Sequence, residues 1–68
     1  MSDVHKHLAA KIKQLRMTRR MTQGSLAKKA GLSLGYVARL EISRHDPSLS
    51  TLIKLARALK VKVGALLN

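Results

Sequence analysis

The chain has 68 residues, no cysteine, one proline and a single aromatic residue, Tyr36. That length admits one compact domain, 1–68, which buries only about 60% of the surface its unfolded chain exposes. Without cysteine, no disulfide or thiolate metal site staples it. Fourteen Lys and Arg against three acids, Asp3, Glu41 and Asp46, give a formal net charge of +11. Self-repulsion of that size points to an anionic partner, either nucleic acid or an anionic membrane surface.

The apolar stretches fall far short of the roughly 18 residues that a transmembrane helix needs. The opening Met1-Ser2-Asp3-Val4-His5 lacks a charged region followed by an apolar run, so no signal peptide is expected and the cytoplasm is the default compartment.

The first predicted element runs from about Asp3 to Arg19. Leu8, Ile12 and Leu15 recur there at helical spacing, with Lys6, Lys11 and Lys13 off the stripe. Ser2 or Asp3 is a candidate cap, and Met17 and Met21 are expected to fill gaps in the core. Thr22 is placed to cap a short second helix, Gln23 to Ala30, whose apolar face is Leu26, Ala27 and Ala30. Gly31 follows where a helix end favours a residue tolerant of the left-handed conformation. Ser33 is the next cap. It opens a third helix, Leu34 to Glu41, with Val37 and Leu40 inward. Ile42 to Pro47 is a loop with basic content, Arg44 and His45. Ser48 opens a fourth helix with the inward stripe Leu52, Leu55, Ala56 and Leu59. The pattern breaks at Lys60-Val61-Lys62, and Val63 to Leu67 forms a last short helix. The expected fold is all-α, a bundle of about five helices with short connections.

Within this plan, two short helices meet across a turn of about three or four residues. Ala27 is small enough to let them cross closely, and Gly31 permits the sharp turn. Val37 and Leu40 bury the inner side of the later helix. This is the helix-turn-helix layout, in which the later helix enters the major groove of DNA.

Leu15-Arg16, Thr22-Gln23, Leu26-Ala27, Ala30-Gly31, Ser33, Val37, Leu40-Glu41, Pro47-Ser48, Leu52, Leu55-Ala56, Ala58-Leu59-Lys60-Val61 and Leu66-Leu67 together resemble the pattern of the Xre-type regulators, which include phage repressors and Cro proteins. The resemblance covers nearly the whole chain. It implies a lambda-repressor-like five-helix fold and a sequence-specific double-stranded DNA-binding regulator that represses or activates by occupying an operator, with a repressor as the expected form. It also implies roles. Gln23 clamps a DNA phosphate, with Thr22 beside it. Ser33, Leu34, Gly35, Tyr36 and Arg39 fall on base-facing or groove-facing positions. Arg16 and Glu41 form a structural ion pair, and the loop carrying Ser43 and Arg44 touches the DNA backbone. Three departures stand out. Leu34 and Gly35 replace the usual polar residues, which suits packing on a thymine methyl and close approach rather than hydrogen bonding. Ser43 stands where glycine is common, and Lys62 replaces a more usual cap, so a frayed last helix is expected.

Among the remaining cations, Lys13, Arg19 and Arg20 are the expected phosphate contacts. Lys28, Lys29, Lys54, Arg57, Lys60 and Lys62 read as a solvated face. His5 and His7 are two apart and cannot chelate together on a helix, and His45 is isolated. No metal, cofactor or catalytic constellation is expected, and the chain reads as no enzyme. The basic first helix lacks the Trp and Phe of a membrane-surface helix. Two alternatives share the charge or the fold: a non-specific nucleic-acid-binding protein, and an antitoxin that also binds a partner toxin. One reading helix covers too few base pairs to single out a site. A homodimer on a near-palindromic operator is therefore expected, paired through the apolar C-terminal end, Val63, Leu66 and Leu67.

Overall fold

The computed structural model describes residues 3–43 and 46–68. Among these residues there are five helices and no strand: α1 (Asp3–Thr18), α2 (Gln23–Ala30), α3 (Leu34–Glu41), α4 (Leu49–Leu59) and α5 (Gly64–Leu67). α2 packs against α3 and α4. α1 packs against α3 and α5, and α4 also meets α5. The expected cap from Ser2 or Asp3 lies outside the described side chains, as do Arg44 and His45.

Local chemistry starts three of these helices. Thr22 Oγ1 accepts from the Ser25 amide at 3.0 Å, Ser33 Oγ from the Tyr36 amide at 3.0 Å, and Ser48 Oγ from the Thr51 amide at 3.2 Å. Each satisfies an amide that the first helical turn leaves unpaired, worth about 1 kcal/mol. α5 has no such cap: Val63 precedes it and its side chain accepts nothing.

A common device ends α1, α2 and α4. A residue just past the helix turns left-handed, Arg20 (φ 55°) two positions beyond α1 and Gly31 (φ 71°) and Lys60 (φ 58°) directly after α2 and α4. The next amide then reaches back five residues: Met21 to the Arg16 carbonyl at 3.0 Å, Leu32 to Ala27 at 2.8 Å and Val61 to Ala56 at 2.9 Å. These bonds satisfy carbonyls that the last turn leaves open. Only Gly31 adopts this conformation without steric cost; Arg20 and Lys60 hold it against a penalty of roughly 1–2 kcal/mol each. Ser43 is also left-handed (φ 62°), a conformation that glycine adopts without steric cost. The first helix thus stops one residue before the expected Arg19, because Arg20 has already left the helical region.

The core is aliphatic. Leu8 and Ile12 of α1, Leu26, Ala27 and Ala30 of α2, Val37 and Leu40 of α3, Leu55, Ala56 and Leu59 of α4, and Leu66 of α5 form one buried cluster. Leu15, Met21, Leu52 and Val63 pack on its margin. Two expectations need correction. Met17 is 59% exposed, because it lies five residues past Ile12 and off the inward stripe of α1. Leu66 is completely buried, because α5 turns that side chain into the gap between α1 and α4. It is therefore not available to a subunit contact, and the apolar surface left at that end is Leu67 with half-buried Val63.

Candidate nucleic-acid interface

Val37 and Leu40 anchor α3, and their burial fixes which side of the helix faces outward. The outward residues are Leu34, Gly35 and Arg39, with Ser33 exposed at the helix start and Tyr36 half-buried. Leu34 is 55% exposed, which leaves an aliphatic side chain open on the same face as Arg39. Ser33 spends one lone pair on the Tyr36 amide, so its hydroxyl proton and second lone pair remain for another partner.

Arg39 lies four residues beyond Gly35, one helical turn along the same face. Its guanidinium is folded back over that glycine: a Cβ built on Gly35 would stand 3.3 Å from Arg39 Nη1 and 3.9 Å from Cζ. The missing side chain at position 35 therefore gives the Arg39 fork a seat against the α3 backbone. The sequence carries this signal only as a glycine and an arginine at i and i+4.

Beneath α3 lies the strongest polar feature of the described residues. Glu41, at the end of α3, has a side chain only 2% exposed. Its carboxylate accepts from Arg16 Nε at 2.7 Å, Arg16 Nη2 at 3.0 Å and Gln23 Nε2 at 3.1 Å. Arg16 Nη1 donates to the Met21 carbonyl at 2.7 Å. One planar fork thus ties α1 to α3 and to the connection leading into α2. The hydrogen bond to Glu41 raises the Arg16 pKa above its ordinary value; burial opposes this and the charge attraction adds to it. No buried side-chain nitrogen or oxygen among the described residues lacks a partner. The link from Gln23 to Glu41 was not foreseen, since residues 18 apart carry no local signal for it.

The expected phosphate-binding residues fall into groups. Thr22 and Gln23 stand together at the start of α2, where Thr22 is exposed and Gln23 half-buried. Arg19 and Arg20 follow α1, both exposed, close in sequence to that helix start. Lys13 is exposed on α1, one turn before Arg16. Ser43 is half-buried after α3, and Arg44 lies outside the described residues. Arg19 also joins Met21, Lys29, Ala58 and Lys60 around a shallow hollow of about 240 Å³. Lys29 is in the last turn of α2 and Lys60 caps α4, positions where a cation opposes the negative end of a helix.

Among the described residues no three His, Cys, Asp or Glu side chains gather as metal ligands. No helix there is long and apolar enough to cross a membrane.

The helix-turn-helix model HTH_3 matches residues 12–66, from the middle of α1 into α5. An immunity repressor protein of Bacillus phage phi105 is 47% identical over 58 residues, which are 85% of this chain and 40% of the repressor. The chain thus spans less than half of that relative. The control protein C.SmaI of Serratia marcescens is 35% identical over 66 residues, 97% of this chain and 79% of the control protein. Among solved structures, the restriction-modification controller protein C.AhdI from Aeromonas hydrophila superposes with a TM-score of 0.90 at 29% identity, covering 91% of this chain and 94% of the controller. The five-helix arrangement, the matched span and these relatives together establish that this chain belongs to the HTH_3 helix-turn-helix family.

Proposed function

We propose that this chain is a sequence-specific double-stranded DNA-binding transcriptional regulator, not an enzyme, that acts by occupying an operator. The observation that carries the reading is the outward face of α3. Leu34, Gly35 and Arg39 are presented by a helix whose other side is locked by Val37 and Leu40, on a chain of net charge +11. Relatives named as a repressor and as control proteins support the same reading. α3 enters the major groove. The Arg39 fork matches guanine O6 and N7 together, and Leu34 packs on a thymine methyl. Gln23, Thr22, Lys13, Arg19, Arg20 and the loop at Ser43 and Arg44 hold the phosphates, which fixes register without reading sequence.

Two copies bind a near-palindromic operator with their α3 centres about 34 Å apart. Leu67 and Val63 supply the apolar part of the pairing surface. Such a protein resides in the cytoplasm, on the nucleoid. Occupancy of an operator that overlaps a promoter blocks transcription, which is the sense in which the chain is proposed to repress.

Two substitutions separate the roles. Arg39→Ala is expected to cost about 1–3 kcal/mol at one base position and to relax the preference there. Gln23→Ala is expected to weaken every sequence alike. Binding to an operator and to its single-base variants measures both. If Arg39→Ala weakens all sequences equally, Arg39 is not a base reader.

A further inference from the structure

We propose that Glu41, beyond closing the ion pair with Arg16, is a positioning residue for DNA contact, because it sets the side-chain amide of Gln23. The proposal rests on the phosphate-clamp reading of Gln23 given above.

A glutamine amide has two nearly isosteric faces, an oxygen that only accepts and a nitrogen with two N–H donors. Left in solvent, it presents either face to a phosphate, and only the nitrogen face binds. Here the choice is made in advance. Glu41 Oε1 lies 3.1 Å from Gln23 Nε2, and a carboxylate accepts only, so the nitrogen must face it. One N–H is thereby committed. The other has no acceptor among the described residues, and Gln23 is only half-buried at the exposed start of α2. This N–H is the one offered to a phosphate oxygen.

Arg16 makes the arrangement compatible with an anionic partner. A bare carboxylate this close would repel the phosphate. The bidentate guanidinium, at 2.7 and 3.0 Å, cancels that charge while leaving Oε1 able to accept from Gln23. Arg16 also holds the Met21 carbonyl at 2.7 Å, two residues before Gln23, so the same fork fixes the backbone from which the glutamine projects. Holding the amide in its binding orientation removes an ordering cost that would otherwise fall on association.

The test is a double-mutant cycle on DNA affinity. Glu41→Asp keeps a negative charge for Arg16 but draws the carboxylate back from Gln23. Gln23→Ala removes the clamp. Gln23→Ala is expected to weaken binding about tenfold, the size of one hydrogen bond to a charged group. Glu41→Asp is expected to weaken it several-fold in the Gln23 protein and not at all in the Gln23→Ala protein. Equal losses in both backgrounds would overturn the positioning role. No loss from Gln23→Ala would instead overturn the clamp reading itself. Should Glu41→Asp prove too unstable, the unmodified protein supplies the second measurement. In NMR spectra, one Nε2 proton of Gln23 is expected to be displaced from its position in a free glutamine side chain and slow to exchange before DNA is added, and the other to shift only on addition. Both protons at the chemical shifts and exchange rates of a free glutamine side chain before DNA is added would overturn the proposal.

Discussion

Arg16→Ala is expected to destabilise the fold by about 3–5 kcal/mol, because it leaves the Glu41 carboxylate, 2% exposed, buried without its counter-charge. Domains of this kind have only about 5–15 kcal/mol of stability in total, so the variant stands near the threshold of folding. The loss is not confined to charge. The Met21 carbonyl loses its donor, and α1, α3 and the α1–α2 connection lose their common tie. Arg16→Lys is expected to recover only part, since an ammonium lacks the planar fork that meets both carboxylate oxygens. The sign of any pH effect follows from the raised Arg16 pKa. A cation with a raised folded pKa contributes fully below its unfolded value and loses that contribution only as pH climbs through the higher folded value. For arginine that window lies in strong alkali, so its share is constant across the neutral range. Urea unfolding measures the effect: the midpoint of Arg16→Ala falls with the slope unchanged. A shift equivalent to under about 1 kcal/mol, the worth of an exposed pair, would contradict the structural role.

The second large effect is on DNA affinity and comes from salt. Each phosphate neutralised by Lys or Arg releases condensed counterions, so log affinity falls linearly with log salt. Lys13, Arg19 and Arg20 on each of two protomers would engage on the order of six phosphates, and raising salt from about 50 to 200 mM is then expected to weaken binding by about 10³-fold or more. Replacing one of these residues, Arg20→Ala for example, should reduce the slope by about one per protomer without changing which sequences are preferred. Lys54→Ala, on the solvated side of α4, should leave the slope nearly unaltered. Titrations at several salt concentrations read this directly. A slope near zero would mean that phosphates are not the main source of affinity.

Much of the fold was legible because its signals are local. Thr22, Ser33 and Ser48 announce helix starts by side-chain chemistry that acts within three residues. The stripes of Leu26, Ala27 and Ala30, and of Leu55, Ala56 and Leu59, announce which faces turn inward. Gly31 was legible for the same reason. Arg20 and Lys60 were not, although they end helices with the same backbone geometry, because the conformation is imposed on them by packing and nothing in a basic side chain advertises it. Met17 and Leu66 failed for a related reason. Both are apolar, and composition alone cannot say that α1 rotates one outward while α5 tucks the other into the core. The site shows the same division. The outward positions of α3 follow from helical periodicity once Val37 and Leu40 are inward. The Glu41–Gln23 bond and the seat of Arg39 on Gly35 depend on side-chain placement that periodicity does not set.

The most direct test of the account is selection of bound sequences from random double-stranded DNA by the whole chain, at a salt concentration high enough to suppress phosphate-only binding. The expected result is one enriched, near-palindromic motif whose half-sites hold a guanine and a neighbouring thymine, with the guanine preference lost in the Arg39→Ala protein. Recovery of DNA with no shared motif, or the same motif from both proteins, would contradict it.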